Sequence, residues 1–202
     1  MTTTAYLIRH AQSHPSSSLP EHAWPLSELG RRQSERLGAL LEPLGIIRLH
    51  SSPYIRCLGT IGPFARRRGI EIVANDGLRE RNIAGGVVDN FKEIWLRSWQ
   101  DFSFSLPGCE TSFEAQRRFL GAIRRILQRE TGVIGISTHG AVLALLLNHL
   151  DSGYGPDDAD QLMNPDVLKL DFVDGELSWD RAFRLPGIDA VATHHAETPI
   201  DW

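Results

Sequence analysis

The chain has 202 residues, 42% of them apolar and 23% charged, the proportions of a soluble protein long enough to bury a core within one domain. Its formal net charge of −4 argues against a broad nucleic-acid footprint, so any anion recognition must come from a local cluster of cations. No apolar run reaches the length of a membrane span, and Arg9 and His10 break the first apolar stretch too early for a signal peptide.

Residues 4–9 read as a short buried strand that ends abruptly in Arg9 and His10. The segment Ser13 to Pro25, rich in Ser, Pro and His, is a loop. Ser27 is placed to cap a helix running to about Leu41, with Leu29, Leu37, Leu40, Leu41 and Leu44 roughly on one face, and Gly45 ends it. A second strand, "IIRLH" (46–50), is followed by "SSP", where Ser52 is expected to cap a helix with Pro53 in its first position. That helix is expected to run to about Arg68, strained by Pro63. "IEIVA" (70–74) is a third strand, and a glycine-punctuated loop follows it. Phe91, Trp95 and Trp99 recur at steps of four and predict one buried stripe of a further helix. Thr111 and Glu114 have capping-box spacing ahead of a long helix through Gln128. "GVIGIS" (132–137) is a fourth strand, "THGAVLALLLNHL" a glycine turn into an apolar helix, and Asp174-Gly175 the turn of a hairpin. The end of the chain, from about 188 to 202, is weakly periodic and expected to be a loose tail.

Strands alternating with helices predict a single-domain α/β fold spanning 1–202, a three-layer α/β/α sandwich with a mostly parallel central sheet. In such sheets ligands gather beyond the carboxyl ends of the strands. Three strands there deliver Arg9 and His10, then Ser51 and Ser52 with Arg56 one turn on, then Thr138, His139 and Gly140. Two guanidiniums, two imidazoles and one or two helix starts suit a dianionic phosphoryl group, because forked donors match its oxygens and free N–H groups favour negative charge. The composition lends no weight to any single arginine: of 21 basic residues only Lys92 and Lys169 are lysines. The convergence at predicted strand ends is what singles these residues out.

The order of motifs resembles the histidine phosphatase superfamily, the phosphoglycerate mutase-like proteins. "LIRHAQS" resembles the arginine–histidine–glycine signature, "LSELGRRQSERLGALL" the helix after it, and "SSPYIRCLGTIGPFA" the second-arginine motif with Arg56 and Thr60 in place. "LRERNIAGG" resembles the acidic loop, "LPGCETSFEAQRRF" the approach to the long helix, and "ISTHGAVLALLL" the second-histidine motif. The resemblance covers most of residues 4–185 and implies a phosphoglycerate mutase-like fold.

Carried over residue by residue, the resemblance implies His10 as nucleophile, Arg9, Arg56 and His139 as phosphoryl ligands, and Glu80 as the proton donor to the leaving oxygen. Gly140 and Ser16 are candidate substrate contacts, Ser16 standing where the family often has asparagine. Ala11 replaces the usual glycine, and the tryptophan and glutamate often found after the acid are absent from "NIAGG". Arg79 and Arg81 flank Glu80, and because inward-facing cations would oppose its acid role both are expected to face outward or toward substrate.

Mutases of the family carry a long segment between acid and second histidine, with basic residues that clamp the substrate. Here that span holds one lysine, Lys92, no paired arginines ahead of the long helix, and instead Phe91, Trp95, Trp99, Phe102 and Phe104. A phosphatase acting on a small phosphorylated metabolite is therefore expected, with a mutase-type phosphotransferase or a non-catalytic phosphate-ligand sensor as alternatives. The aromatic span reads chiefly as core, with an apolar pocket wall as the other possibility. No cofactor or metal is expected: Pro15 disfavours a His10–His14 pair, His194-His195 lies in the tail, and Cys57 and Cys109 lack metal-type spacing. Two cysteines of this kind also suit a reduced, cytoplasmic protein. Nucleic acid and membrane are not expected partners, and the sequence is silent on oligomeric state.

Overall fold

The structure, a computed structural model, describes residues 2–194. In chain order it contains β1 (Thr2–Arg9), α1 (Glu28–Leu41), β2 (Arg48–Ser51), α2 (Ile55–Arg68), β3 (Ile72–Ala74), α3 (Phe91–Gln100) and α4 (Ser112–Arg129). There follow β4 (Gly132–Thr138), α5 (Gly140–Leu150), α6 (Pro156–Ala159), β5 (Met163–Asn164), β6 (Asp166–Val173), β7 (Glu176–Asp180) and β8 (Thr193–His194). Six strands form one sheet in the order β3-β2-β4-β1-β6-β7. The first four run parallel, and β6 and β7 are antiparallel additions at one edge.

The apolar run of β1 has a direct structural reason: side chains alternate across a strand, and both faces of this one are covered. Ala5 and Leu7 pack with Phe119, Ile123 and Leu127 of α4 and Val142, Leu143 and Leu146 of α5. Tyr6 and Ile8 face the other way, onto Leu37 and Leu41 of α1 and Ile61 and Phe64 of α2. The result is a three-layer α/β/α sandwich. Each fully buried Leu or Ile contributes roughly 1.5–3 kcal/mol, so these two layers supply the rigidity that fixes the strand ends.

The local signals act as their chemistry dictates. The Ser27 hydroxyl accepts from Gly30 N at 2.9 Å, and Gly45, at φ 69°, closes the turn after α1. Thr111 and Glu114 form a reciprocal capping box at the start of α4. Asp174 (φ 51°) and Gly175 (φ 94°) both take the left-handed conformation that a two-residue hairpin turn requires. Pro63 lies inside α2 and cannot donate to the Gly59 carbonyl one turn back. The Ser34 hydroxyl of α1 reaches that carbonyl at 2.7 Å, so the neighbouring helix satisfies what the proline leaves open.

Several boundaries differ from expectation. α2 begins at Ile55 with Tyr54 at its cap, so Ser52 is not the N-cap and Pro53 is not its first residue. Ser52 N still donates to Ser137 O at 2.9 Å, which keeps the backbone extended past the end of β2. β3 begins at Ile72 because Ile70 N is engaged by Ala65 O in closing α2. In α3 the buried residues are Ile94 and Ser98; Trp95 and Trp99 pack beside them on the core, but Phe91 is 43% exposed. Phe104 packs with Ile83 and Ile94 in a separate small cluster and, with Val88, Ile94, Leu106 and the polar Asn90, Glu93 and Arg97, lines a cavity of about 210 Å³ that includes none of the candidate site residues.

The expected tail from about 188 is packed at its start. Ile188 has no exposure and Val191 is buried, while the Gln33 amide donates to Asn164 O (2.8 Å) and Val191 O (3.0 Å), and β8 pairs with β5. Residues 195–202, His195 among them, lie outside the described residues. Among the described residues no helix is long and apolar enough to cross a membrane.

Candidate active site

Parallel pairing sets Arg9 opposite Thr138 and Ser51 opposite Ser137, so β1, β2 and β4 end side by side. His10 N continues the ladder by donating to Thr138 O at 3.0 Å. The next turn is tied down by polar side chains. Asn164 Nδ2 donates to His10 O (2.8 Å), Ala11 N to Thr60 Oγ1 (2.9 Å) and Gln12 N to Gln33 Oε1 (2.9 Å). Ala11 is fully buried and has a negative φ, so the left-handed freedom of glycine is not required at this position.

The His10 ring is oriented by two contacts. Its Nδ1 lies 2.8 Å from Ala11 O, and a carbonyl can only accept, so Nδ1 carries the proton. Nε2 is left with its lone pair, which accepts from Arg56 Nε at 3.2 Å. The His139 ring lies edge-on to that of His10, with centroids 5.2 Å apart, and its Nε2 shares a 2.8 Å hydrogen bond with Ser52 Oγ. His139 has no solvent exposure. Burial, followed by Arg56, His10 and Arg9, pulls its pKa well below the usual histidine value, which favours the neutral ring.

Both arginines are buried, Arg9 8% exposed and Arg56 3%. Arg9 Nη1 donates to Leu162 O, while its Nε is buried with no hydrogen-bond partner. Burial lowers the Arg9 pKa, opposed by the Glu80 and Asp166 charges. Gly140 has a steric duty here: a Cβ at this position would come within 2.9 Å of the Arg9 guanidinium. Arg56 donates through Nη1 and Nη2 to Glu21 O (2.7 Å) and Glu21 Oε1 (2.8 Å). The Tyr54 ring lies against it, 4.9 Å from the guanidinium carbon.

Glu80 sits at the start of α5, where its carboxylate accepts from Ala141 N and Val142 N, both at 3.2 Å, and from Arg81 N at 2.9 Å. The helix start expected to face phosphate is therefore occupied by this carboxylate. Arg81 is not outward-facing: it is 3% exposed and donates to Ser98 Oγ, Ser112 Oγ and Glu110 O. Arg79 is turned away as well, toward Asp76 and Glu110. Arg81 is buried because the hydroxyls of Ser98 and Ser112, on α3 and α4, offer acceptors that its own segment does not reveal. Ser16 is not brought into the cluster; its hydroxyl bonds Ser18 Oγ (2.7 Å) in the loop above.

Sequence reasoning missed four neighbours. Glu21, on a single turn of 3-10 helix (Glu21–Ala23), engages Arg56, and Trp24 follows it. Tyr54 packs on both Arg56 and His139. The Cys57 thiol lies 3.4 Å from His139 Nε2, and burial pushes its pKa up to about 12, so it stays protonated. Only the proximity of Tyr54 and Cys57 to Arg56 in sequence hinted at them, and nothing local marked Glu21. Among the described residues no group of three or more His, Cys, Asp or Glu side chains is arranged to hold a metal ion.

A lone-pair nitrogen beside a guanidinium, a second imidazole, a second guanidinium with an open donor and a nearby carboxyl can bind a tetrahedral anion and attack its centre. Solved structures share the fold. YhfR of Bacillus stearothermophilus is 24% identical, with 92% of this chain and 99% of that chain covered at a TM-score of 0.74. A phosphoglycerate mutase from Bacillus anthracis str. Sterne is 17% identical, with coverage of 94% and 95% and a TM-score of 0.74. A mycobacterial glucosyl-3-phosphoglycerate phosphatase solved with inorganic phosphate is 17% identical, with coverage of 92% and 98% and a TM-score of 0.71. Comparison with curated proteins gave no match. Residues 5–182 match the family profile of the histidine phosphatase superfamily (branch 1), and the chain belongs to that superfamily.

Proposed function

We propose that this protein is a phosphomonoester hydrolase that acts on a small phosphorylated metabolite through a phosphohistidine on His10. The orientation of the His10 ring carries this reading: the hydrogen bond to Ala11 O leaves Nε2 unprotonated and directed at Arg56 Nε. In the first step the Nε2 lone pair forms the N–P bond as the P–O bond to the leaving group breaks, and Glu80 gives that oxygen its proton. Arg9, Arg56 and His139 take the charge of the transferring group; the open Arg9 Nε is one donor available for it. In the second step water attacks phosphorus, Glu80 accepts its proton, and His10 is released with inorganic phosphate. Ser16 is engaged by Ser18 and is given no part in the reaction, and Gly140 contributes by leaving room for Arg9.

Two solved relatives in fold are a glucosyl-3-phosphoglycerate phosphatase and a phosphoserine phosphatase from Entamoeba histolytica, which fits hydrolysis. A similar likeness to a phosphoglycerate mutase keeps phosphotransfer to a second hydroxyl as the alternative. The span between Glu80 and α4 holds no paired arginines that could clamp a second substrate group, which favours water as the acceptor. A pure sensor would need neither nucleophile nor acid. Because the cationic side chains neutralise the phosphoryl oxygens, the reaction needs no metal ion. Free Cys57 and Cys109 fit a reducing, cytoplasmic setting.

Turnover should be measured on sugar phosphates, nucleotides, phosphoglycerates and phosphoamino acids in excess chelator. Phosphate release from at least one class, inhibited by vanadate, is expected. Activity lost to chelator and restored by metal would overturn metal independence, and phosphoryl transfer between substrate hydroxyls without phosphate release would favour the mutase.

A further inference from the structure

Arg56 is a phosphoryl ligand in the reading above, yet its donor nitrogens are already engaged. Nε points to His10, and Nη1 and Nη2 hold the main-chain oxygen and carboxylate of Glu21 at 2.7 and 2.8 Å. Glu21 takes an N–H from each terminal nitrogen, and its carboxylate puts a negative charge where a phosphoryl group would approach this edge of the guanidinium, so the two anions compete for it.

The element carrying Glu21 meets the site floor through Arg56, which also lies against Trp24, and through His22 against Tyr54. The loop is fixed at its root, where Gln12 N binds Gln33 Oε1 and Ser27 N binds Gln12 O at 3.0 Å, both from the α1 side. The turn Glu21–Ala23 has no buried residue, and its main-chain bonds are local, Ala23 N to Pro20 O and Trp24 N to Glu21 O. Holding the carboxylate there is costly. Burial pushes the Glu21 pKa up, against the pull of Arg56. Arg9 has no hydrogen-bonded anion on its buried Nε.

We propose that Glu21 is a resident competitor for the phosphoryl group at Arg56, so that substrate binds by displacing the Glu21–Ala23 turn. This rests on the assignment of Arg56 as a phosphoryl ligand. The carboxylate closes the site when no phosphate is present, and a dianion that also recruits Arg9 displaces it. The apparent affinity for any tetrahedral anion is reduced by the fraction of molecules in which Glu21 occupies the fork.

The test is calorimetric titration of tungstate, a tetrahedral dianion, into wild type, Glu21→Gln, Glu21→Ala and Arg56→Ala at pH 7. Loss of the carboxylate's charge should tighten tungstate by about tenfold in Glu21→Gln and by at least as much in Glu21→Ala. Arg56→Ala should weaken it. If Glu21 merely orients Arg56, both Glu21 variants will bind tungstate more weakly or unchanged, and the proposal falls. If Glu21 is instead the proton donor, Glu21→Gln will slow His10 phosphorylation by about 10²–10⁴-fold without tightening tungstate. Wild-type tungstate affinity retained in Arg56→Ala would overturn the assignment of Arg56 itself, a failure distinct from that of the competitor.

Discussion

Two clusters of arginine and carboxylate lie close together in this molecule and do opposite things. Around Glu110 the charges close on one another. Arg118 donates to both carboxylate oxygens (2.8 Å each), Arg79 adds a bond at 2.9 Å, and the remaining Arg118 donors reach Gly77 O, Arg79 O and Glu80 O. At the strand ends the network is less closed: Arg9 Nε has no hydrogen-bond partner, and the terminal nitrogens of Arg56 are held by a single turn of 3-10 helix. In an arginine-rich chain the residue type does not separate these roles. The number of donors left for a ligand does, because a closed ion-pair network stabilises while an open one binds.

Glu80 joins the two clusters, its carboxyl at α5 and its carbonyl at Arg118, and its replacement should have the largest effect. Glu80→Gln keeps the shape but removes the transferable proton. Single-turnover phosphorylation of His10 by alkyl phosphates should fall by about 10²–10⁴-fold, and by much less with nitrophenyl phosphate, whose phenolate leaves unaided. Equal slowing of both would show that Glu80 is not the donor. Arg56→Ala should come next, losing about 10²–10³-fold with both substrates alike, since it removes a charge stabiliser common to them. A loss confined to one substrate type would contradict that role.

Glu110→Gln probes the closed cluster and should act on stability, by about 2–3 kcal/mol in chemical denaturation, because charge-assisted bonds to two arginines are weakened together. Phosphorylation by the folded fraction should change far less than in Arg56→Ala. Burial works against the Glu110 carboxylate, but the hydrogen bonds and charges of Arg118 and Arg79 outweigh it and hold its pKa below the usual range. A depressed folded-state pKa gives stability that is complete above the unfolded-state value and is lost as pH falls through the folded one. The gap between wild type and Glu110→Gln should therefore close in acid, below the ordinary glutamate pKa. A gap independent of pH would mean that packing, not charge, is what the mutation removes.

The same contrast marks what the sequence could reveal. Residues whose partners lie within a few positions were readable: the Ser27 and Thr111 caps and the Asp174-Gly175 turn; the apolar run of β1 was readable as a buried strand from its composition. His10, Arg9, Arg56 and His139 were readable as a group because parallel strands deliver their carboxyl ends to one edge. Residues whose partners are distant were not. Arg81 turns inward because Ser98 and Ser112 wait there, and Ser52 stays extended because Ser137 takes its N–H. Ile188 packs because Leu41 and Phe64 belong to the same layer, although its own segment has no clear period. Glu21 had no local signal at all, since its meaning depends on an arginine 35 positions away.

The central claim is that the open cluster serves an attacking His10 Nε2. The most direct test is rapid trapping of the enzyme during turnover of a phosphate-labelled substrate, followed by treatment with base and with acid. A phosphoramidate on His10 predicts protein-bound phosphate that survives base, is released by acid, and is absent from His10→Ala. Phosphate that survives acid, as a serine ester would, or undiminished turnover by His10→Ala, would contradict it.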